Sequence, residues 1–301
     1  MVIAPFIVAL REGIEAALVI AIMFSYLRKT GRENMNRSII SGTLLAIVTS
    51  VGLAFVLAVI WGSFEGPMLE VFEGSVVLFA AILLTSMIFW MRKASTNLST
   101  GIKQSVEERA VGGNLGLPIL AFALVLREGV ELVLFTAALA IQEGYTTFIA
   151  TALGLIFAVF VGFGIYLGSL RISLKSFFNS TSFLLVLFAA GMLAYGIHEL
   201  QEVGLLALGP IELWNINPPL LPDGSYPLLH EKGLIGGLAK ALFGYNGNPS
   251  ALEVIAYVGY LSLISLYYIK TKIQERSNPS HIVVNVKIVR AKRVQSKMDQ
   301  K

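Results

Sequence analysis

The chain contains no cysteine and only three histidines among its 301 residues. The first absence excludes disulfides and thiolate ligands for soft metals, and it leaves the redox compartment unmarked by thiols. Charge is scarce as well: 14% of residues are Asp, Glu, Lys or Arg, against about a quarter in a soluble domain. The first residues lack the basic stretch of a signal peptide, and Arg11, Glu12 and Glu15 interrupt what would be its apolar core. That run therefore reads as a first membrane helix. What fills the chain is apolar, 55% of it hydrophobic, with a mean hydropathy of +0.74. Long apolar runs at this composition predict an integral membrane protein, with the lipid bilayer as its first partner. The net charge of +4 does not point to nucleic acid, because the basic residues collect in alternate loops and in the tail.

Seven segments are long enough to cross a ~30 Å hydrocarbon core as helices, at about 3–27, 38–62, 71–91, 115–141, 146–168, 180–201 and 251–270. Arg28, Lys29, Arg32 and Arg37 follow the first segment, Arg92, Lys93, Lys103 and Arg109 the third, and Arg171 and Lys175 the fifth. Nine Lys or Arg lie beyond residue 269, whereas the stretch 202–250 holds only Lys232 and Lys240. The positive-inside rule then puts the N-terminus outside and the C-terminus inside, which agrees with an odd number of spans. The stretch 202–250 is Gly- and Pro-rich and reads as an extracytoplasmic loop, either wholly solvated or with a short amphipathic or re-entrant piece around 232–243. Residues 271–301 read as a basic cytoplasmic tail drawn to anionic lipid; within it, 282–289 alternates like a short strand.

One block occurs twice: Arg11-Glu12-Gly13-Ile14-Glu15 in the first segment and Arg127-Glu128-Gly129-Val130-Glu131 in the fourth, with Leu10 and Leu126, and Leu18 and Leu134, at matching flanks. Six ionised groups near a bilayer centre would oppose insertion by roughly 15–20 kcal/mol if none found a partner. Charge kept at that cost is paired, functional or both. The second copy lies three segments after the first, so it enters the membrane upside down relative to it. The fold expected is an all-α polytopic membrane protein with an inverted 3+3 helix repeat plus one helix: repeat one at about 3–91, repeat two at about 115–201, then helix seven. Transporters built this way bind substrate near the midplane, where the halves meet.

Helical spacing gives each copy its chemistry. Glu12 and Glu15 lie three residues apart, on one face and about 60° apart in projection; Glu128 and Glu131 repeat this. Arg11 and Arg127 each precede a carboxylate by four residues, within reach of a guanidinium. Gly13 and Gly129 leave room for a close helix crossing. If the copies meet, four carboxylates face two guanidiniums, leaving two formal negative charges before any cation arrives. Oxygen donors without sulfur or clustered imidazole suit hard cations such as Fe3+, Mn2+, Mg2+ or Ca2+. The alternative is two ion pairs that only fasten helices, and duplication at matched depth argues against it. A membrane di-iron oxidase is a further alternative, but its usual pattern wants Glu-x-x-His, and no histidine here has a Glu three residues before it.

Two further clusters lie at the outer ends. Glu70 and Glu73 open the third segment, and His198, Glu199 and Glu202 close the sixth. Together they form a candidate site for admitting the ion. Trp61, Trp90 and Tyr145 read as interfacial aromatics, and Thr85, Ser86 and Met87 as packing in preference to the lining of a path.

Arg-Glu-Gly-x-Glu in the first and fourth of seven helices resembles the oxidase-dependent iron permeases, the fungal high-affinity iron permease and its prokaryotic relatives. Phe72-Glu73-Gly74, Phe89-Trp90-Met91, His198-Glu199-Leu200-Gln201-Glu202 and Leu242-Phe243-Gly244-Tyr245-Asn246 before Pro249 fit the same pattern. The resemblance covers about residues 1–270. It implies a transporter rather than an enzyme, importing iron across the plasma membrane, as Fe3+ delivered by an extracytoplasmic partner that oxidises Fe2+. Iron is then the substrate, and no cofactor is implied. Glu12, Glu15, Glu128 and Glu131 would contact iron, with Arg11 and Arg127 as their electrostatic partners. Some similar proteins are assigned to lead or other divalent metals, so lead or manganese is the alternative cargo.

Overall fold

Small residues recur every fourth position in two of the apolar runs, Gly42, Ala46 and Ser50 in one and Ala150, Gly154, Ala158 and Gly162 in the other, and all of these are buried. In hydrocarbon, where lipid tails are as apolar as leucine, such stripes let helix backbones approach closely enough for packing to hold them. The computed structural model describes residues 3–94, 98–111, 115–167, 174–206, 211–217, 219, 221, 226–231 and 233–277. Among these residues the helices are α1 (Ile3–Lys29), α2 (Asn36–Trp61), α3 (Pro67–Ala94), α4 (Leu98–Val111), α5 (Gly116–Glu143), α6 (Thr146–Tyr166), α7 (Leu174–Glu202), α8 (Leu234–Phe243) and α9 (Ala251–Ser277). A single isolated β-bridge pairs Glu212 with Ser250.

Among the described residues, five stretches are long and apolar enough to cross a membrane: Glu33–Trp61, Pro67–Trp90, Thr146–Tyr166, Ser180–Glu202 and Ala251–Gln274. Helices α1 and α5 match them in length, at 27 and 28 residues, but each carries three ionisable residues near its middle. Phe55 and Phe160, both 70% exposed, lie on outward faces of α2 and α6 beside Val48, Val51 and Val159. Apolar faces of this extent belong against a bilayer or another protein.

Packing joins α1 to α6, α2 to α5 and α3 to α7, with α1 and α5 also in contact. The block glycines serve these contacts. A methyl group at Gly13 would meet Ala158 Cβ of α6 at 2.5 Å, and one at Gly129 would overlap the Ser50 side chain of α2. Each copy is thus seated on a small-residue stripe of the other sequence half. Helix α5 stops at Gly144, whose φ of 74° is a conformation open to glycine, and whose N–H closes on Ala140 O at 2.8 Å.

The inner loop expected between the third and fourth segments contains a helix, α4. Leu98, Ile102, Val106 and Ala110 follow one another at fours, and Ile102 and Val106 are buried against Met23, Leu27, Leu117 and Ala121 of α1 and α5. In the long connection after α7, the expected short helical piece is α8. The strand-like stretch 282–289 lies outside the described residues. Contacts divide the chain into two compact units, Met1–Tyr257 and Val258–Lys301. Everything that builds the site belongs to the first.

Candidate functional site

Arg11 is completely buried. Its Nη1 donates to Glu12 Oε1 at 2.8 Å, its Nη2 lies 2.9 Å from Glu15 Oε1, and Nη1 also touches Met87 Sδ of α3. The Glu15 contact is an ion pair without hydrogen-bond alignment, since neither Nη2 nor Oε1 has a hydrogen-bonded partner. One guanidinium therefore spans both carboxylates of its own copy. That follows from helix geometry: Glu15 sits one turn on, and side chains lean back towards the N-terminus.

In the second copy, Arg127 Nε donates to Glu131 Oε1 at 3.1 Å and lies 3.5 Å from Glu128 Oε1. The guanidinium carbon stands 4.0 Å from the centre of the Trp90 ring, on α3. Chemistry and spacing repeat, but surroundings do not: the Arg127 side chain is 37% exposed.

The two copies meet. Glu12, Glu15 and Glu128 each bring a carboxylate oxygen within 4.8 Å of the others, and all three residues are buried. Glu131 stays with Arg127, outside that trio. Each of the four glutamates has a buried oxygen with no hydrogen-bond donor: Glu12 Oε2, Glu15 Oε1, Glu128 Oε2 and Glu131 Oε2. Buried acceptors are ordinarily satisfied, and leaving one without a partner costs about 1–3 kcal/mol. A cation among the converging oxygens of Glu12, Glu15 and Glu128 would meet a donor set of hard oxygens. No histidine among the described residues joins the trio.

Of the outer residues, Glu73, Glu199, Glu202 and His198 lie near enough to act on one another electrostatically where α3 meets α7. Glu73 Oε1 accepts from Trp61 Nε1 at 2.8 Å, and Glu199 is buried where α7 packs on Gly74 of α3. Glu70 lies in the first turn of α3. His198 is held between two carboxylates, with Nδ1 3.0 Å from Glu253 Oε1 and Nε2 3.2 Å from Glu202 Oε1. Around it opens a polar cavity of about 190 Å³, also lined by Glu231, Lys240, Asn246 and Asn248.

Glu253 escaped the sequence reading, and Glu231 stood in it only as one outer-facing acid of the 202–250 stretch. Glu253 had a signal: Ser250-Ala-Leu-Glu253 is a capping box, with Ser250 N donating to Glu253 Oε1 at 3.1 Å and Glu253 N to Ser250 Oγ at 3.3 Å. Its other oxygen takes Asn246 Nδ2 at 2.7 Å. Glu231 gave no sign of its partners, which come from three separate stretches. Gly247 N (2.8 Å) and Asn217 Nδ2 (3.1 Å) donate to Oε1, and Lys240 Nζ (3.0 Å) to Oε2. Burial alone would push the Glu231 carboxyl up, but the Gly247 N–H, the Lys240 charge and Asn217 together hold it below its ordinary range. Such a group binds its proton later in the folded chain than in the unfolded one. Its contribution is therefore complete above the unfolded value of about 4.3 and is lost as pH falls through the lower folded value. Hydrogen exchange should show α8 and the 211–217 segment protected at neutral pH and opening below about pH 4. The Glu231→Gln variant should show weaker protection at pH 7 and less of this acid response.

The family described as "Iron permease FTR1 family" matches residues 2–276. The chain is 36% identical over 264 residues to an uncharacterized protein of Archaeoglobus fulgidus, covering 85% of this chain and 90% of that protein. It is 36% identical over 261 residues to the "Ferrous iron permease EfeU" of Escherichia coli O157:H7, covering 85% and 91%. The protein of the same name in Yersinia pestis is 32% identical over 261 residues, covering 85% and 89%. No solved structure matches the chain.

Proposed function

The chain belongs to the iron permease FTR1 family, and from that premise we propose that it imports iron across the plasma membrane through a midplane site built from both Arg-Glu-Gly-x-Glu copies. It is an integral membrane permease and not an enzyme. The observation that carries the site is the convergence of carboxylate oxygens of Glu12, Glu15 and Glu128, from two copies 116 residues apart in sequence. Glu131 completes the set as the ligand that Arg127 holds in reserve.

Three features support a seven-helix inverted repeat, in which α1–α3 correspond to α5–α7. The packing pairs α1·α6 and α2·α5 exchange when the repeats are exchanged, and α3·α7 maps onto itself. Gly13 on Ala158 corresponds to Gly129 on Ser50. The pentapeptide Val-Leu-Phe-Ala-Ala occurs in both α3, at 77–81, and α7, at 186–190. With the basic loops inside, the cavity beside His198 opens outwards, where an iron-oxidising or iron-delivering partner would hand over its ion.

Two uncompensated negative charges and an all-oxygen donor set favour Fe3+ as the bound cargo, although the curated relatives are named for ferrous iron. Purified protein in liposomes separates these. We expect radioactive iron to accumulate above empty vesicles, more as Fe3+ chelate than as Fe2+ under ascorbate, and in preference to Mn2+ or Pb2+. No uptake of either iron species would overturn the reading, and preference for Pb2+ or Mn2+ would change the cargo.

A further inference from the structure

Arg11 and Arg127 hold the same position in their copies and opposite positions in the structure. Arg11 is sealed, and its Glu12 and Glu15 side chains are almost fully covered; Arg127 is over a third exposed, and Glu131 is the most open of the four carboxylates. A guanidinium midway along a membrane helix faces protein interior or water, not hydrocarbon. The exposed side of Arg127 therefore borders water, an opening beside the partly exposed Glu131.

The wall of that opening is α3. Trp90 covers one face of the guanidinium, a contact that holds a cation without neutralising it. One turn earlier on α3, Ser86 is exposed, and so is Ala123, one turn before Arg127 on α5. Arg11 meets the same helix, but at the buried Met87. One face of α3 thus closes the first copy while the next turn only leans on the second.

We propose that the Arg127–Trp90 stack is the gate of a water-filled path between α3 and α5, through which the ion leaves the carboxylate cluster towards the C-terminal end of α3. This rests on the cluster being the transport site. An ion in the cluster competes with Arg127 for Glu131, and the displaced guanidinium keeps Trp90 as its partner. The passage opens without stranding a charge in hydrocarbon.

The natural absence of cysteine makes the test direct, because a single thiol needs no altered background. Ser86→Cys and Trp90→Cys chains in membrane vesicles are exposed to a cationic, membrane-impermeant methanethiosulfonate and, separately, to a permeant uncharged maleimide. Both variants should react with the charged reagent in inside-out vesicles at least tenfold faster than in right-side-out ones. In the Ser86→Cys chain, Trp90→Leu should speed that reaction and Trp90→Phe should leave it unchanged. Reaction with maleimide alone would mean that lipid or a second copy covers this face, and reaction from the opposite side would reverse the path; either overturns the gate. Iron uptake by the Ser86→Cys vesicles is measured in parallel. Intact uptake with an unlabelled thiol sinks the gate and leaves the transport reading standing.

Discussion

Replacing Arg11 by alanine is expected to destabilise the folded permease by about 3–5 kcal/mol, enough to remove most folded protein from the membrane. Arg11 is fully buried and is the guanidinium shared by Glu12 and Glu15, themselves buried. Its loss leaves two carboxylates in low dielectric without a counter-charge, the costly way to break a buried pair. The Arg127→Ala change should cost markedly less, since Arg127 is part-exposed and water screens what remains. Thermal unfolding in detergent measures both. The triple variant Arg11→Met, Glu12→Gln, Glu15→Gln should regain much of the lost stability, because it removes the stranded charges together with their partner, yet it should not transport. Equal losses at Arg11 and Arg127 would contradict the asymmetry of the two copies.

The second large effect is on transport. Glu15→Gln or Glu128→Gln keeps the side-chain shape and removes one of three converging charges. Apparent iron affinity in the uptake assay should fall at least about tenfold, or ~1.4 kcal/mol, with the protein still folded. Glu131→Gln should weaken uptake less, because Glu131 stands outside the trio and is engaged by Arg127. Undiminished uptake in folded Glu15→Gln and Glu128→Gln chains would reduce the block to a fastening between helices.

The site was more legible in the sequence than its setting. Charge among apolar residues has so few explanations that the repeated block, its helical spacing and its arginines could be read from composition and period alone. Spacing does not encode partners, however. That Gly13 would seat on α6 and Gly129 on α2 follows from which small-residue stripe each meets, and both stripes look alike in sequence. Helix α4 was hidden by its charges: the Leu98, Ile102, Val106 stripe runs through a stretch whose basic residues already explained it as an inner loop. His198, Glu199 and Glu202 read as one outer cluster and Glu70 and Glu73 as another. The structure adds Glu253 as a partner of His198 and Trp61 as a partner of Glu73, each from another helix that spacing does not connect. Trp90 read as an interfacial aromatic, and nothing in its spacing connects it with Arg127 on another helix.

The central claim is that one ion is held jointly by both copies of the block. An anomalous difference map collected at the iron edge from iron-loaded protein tests it most directly. The account predicts a peak within about 2–2.5 Å of carboxylate oxygens from Glu12, Glu15 and Glu128 together. A peak confined to the cavity beside His198, with none between α1 and α5 in protein that transports iron, would contradict it.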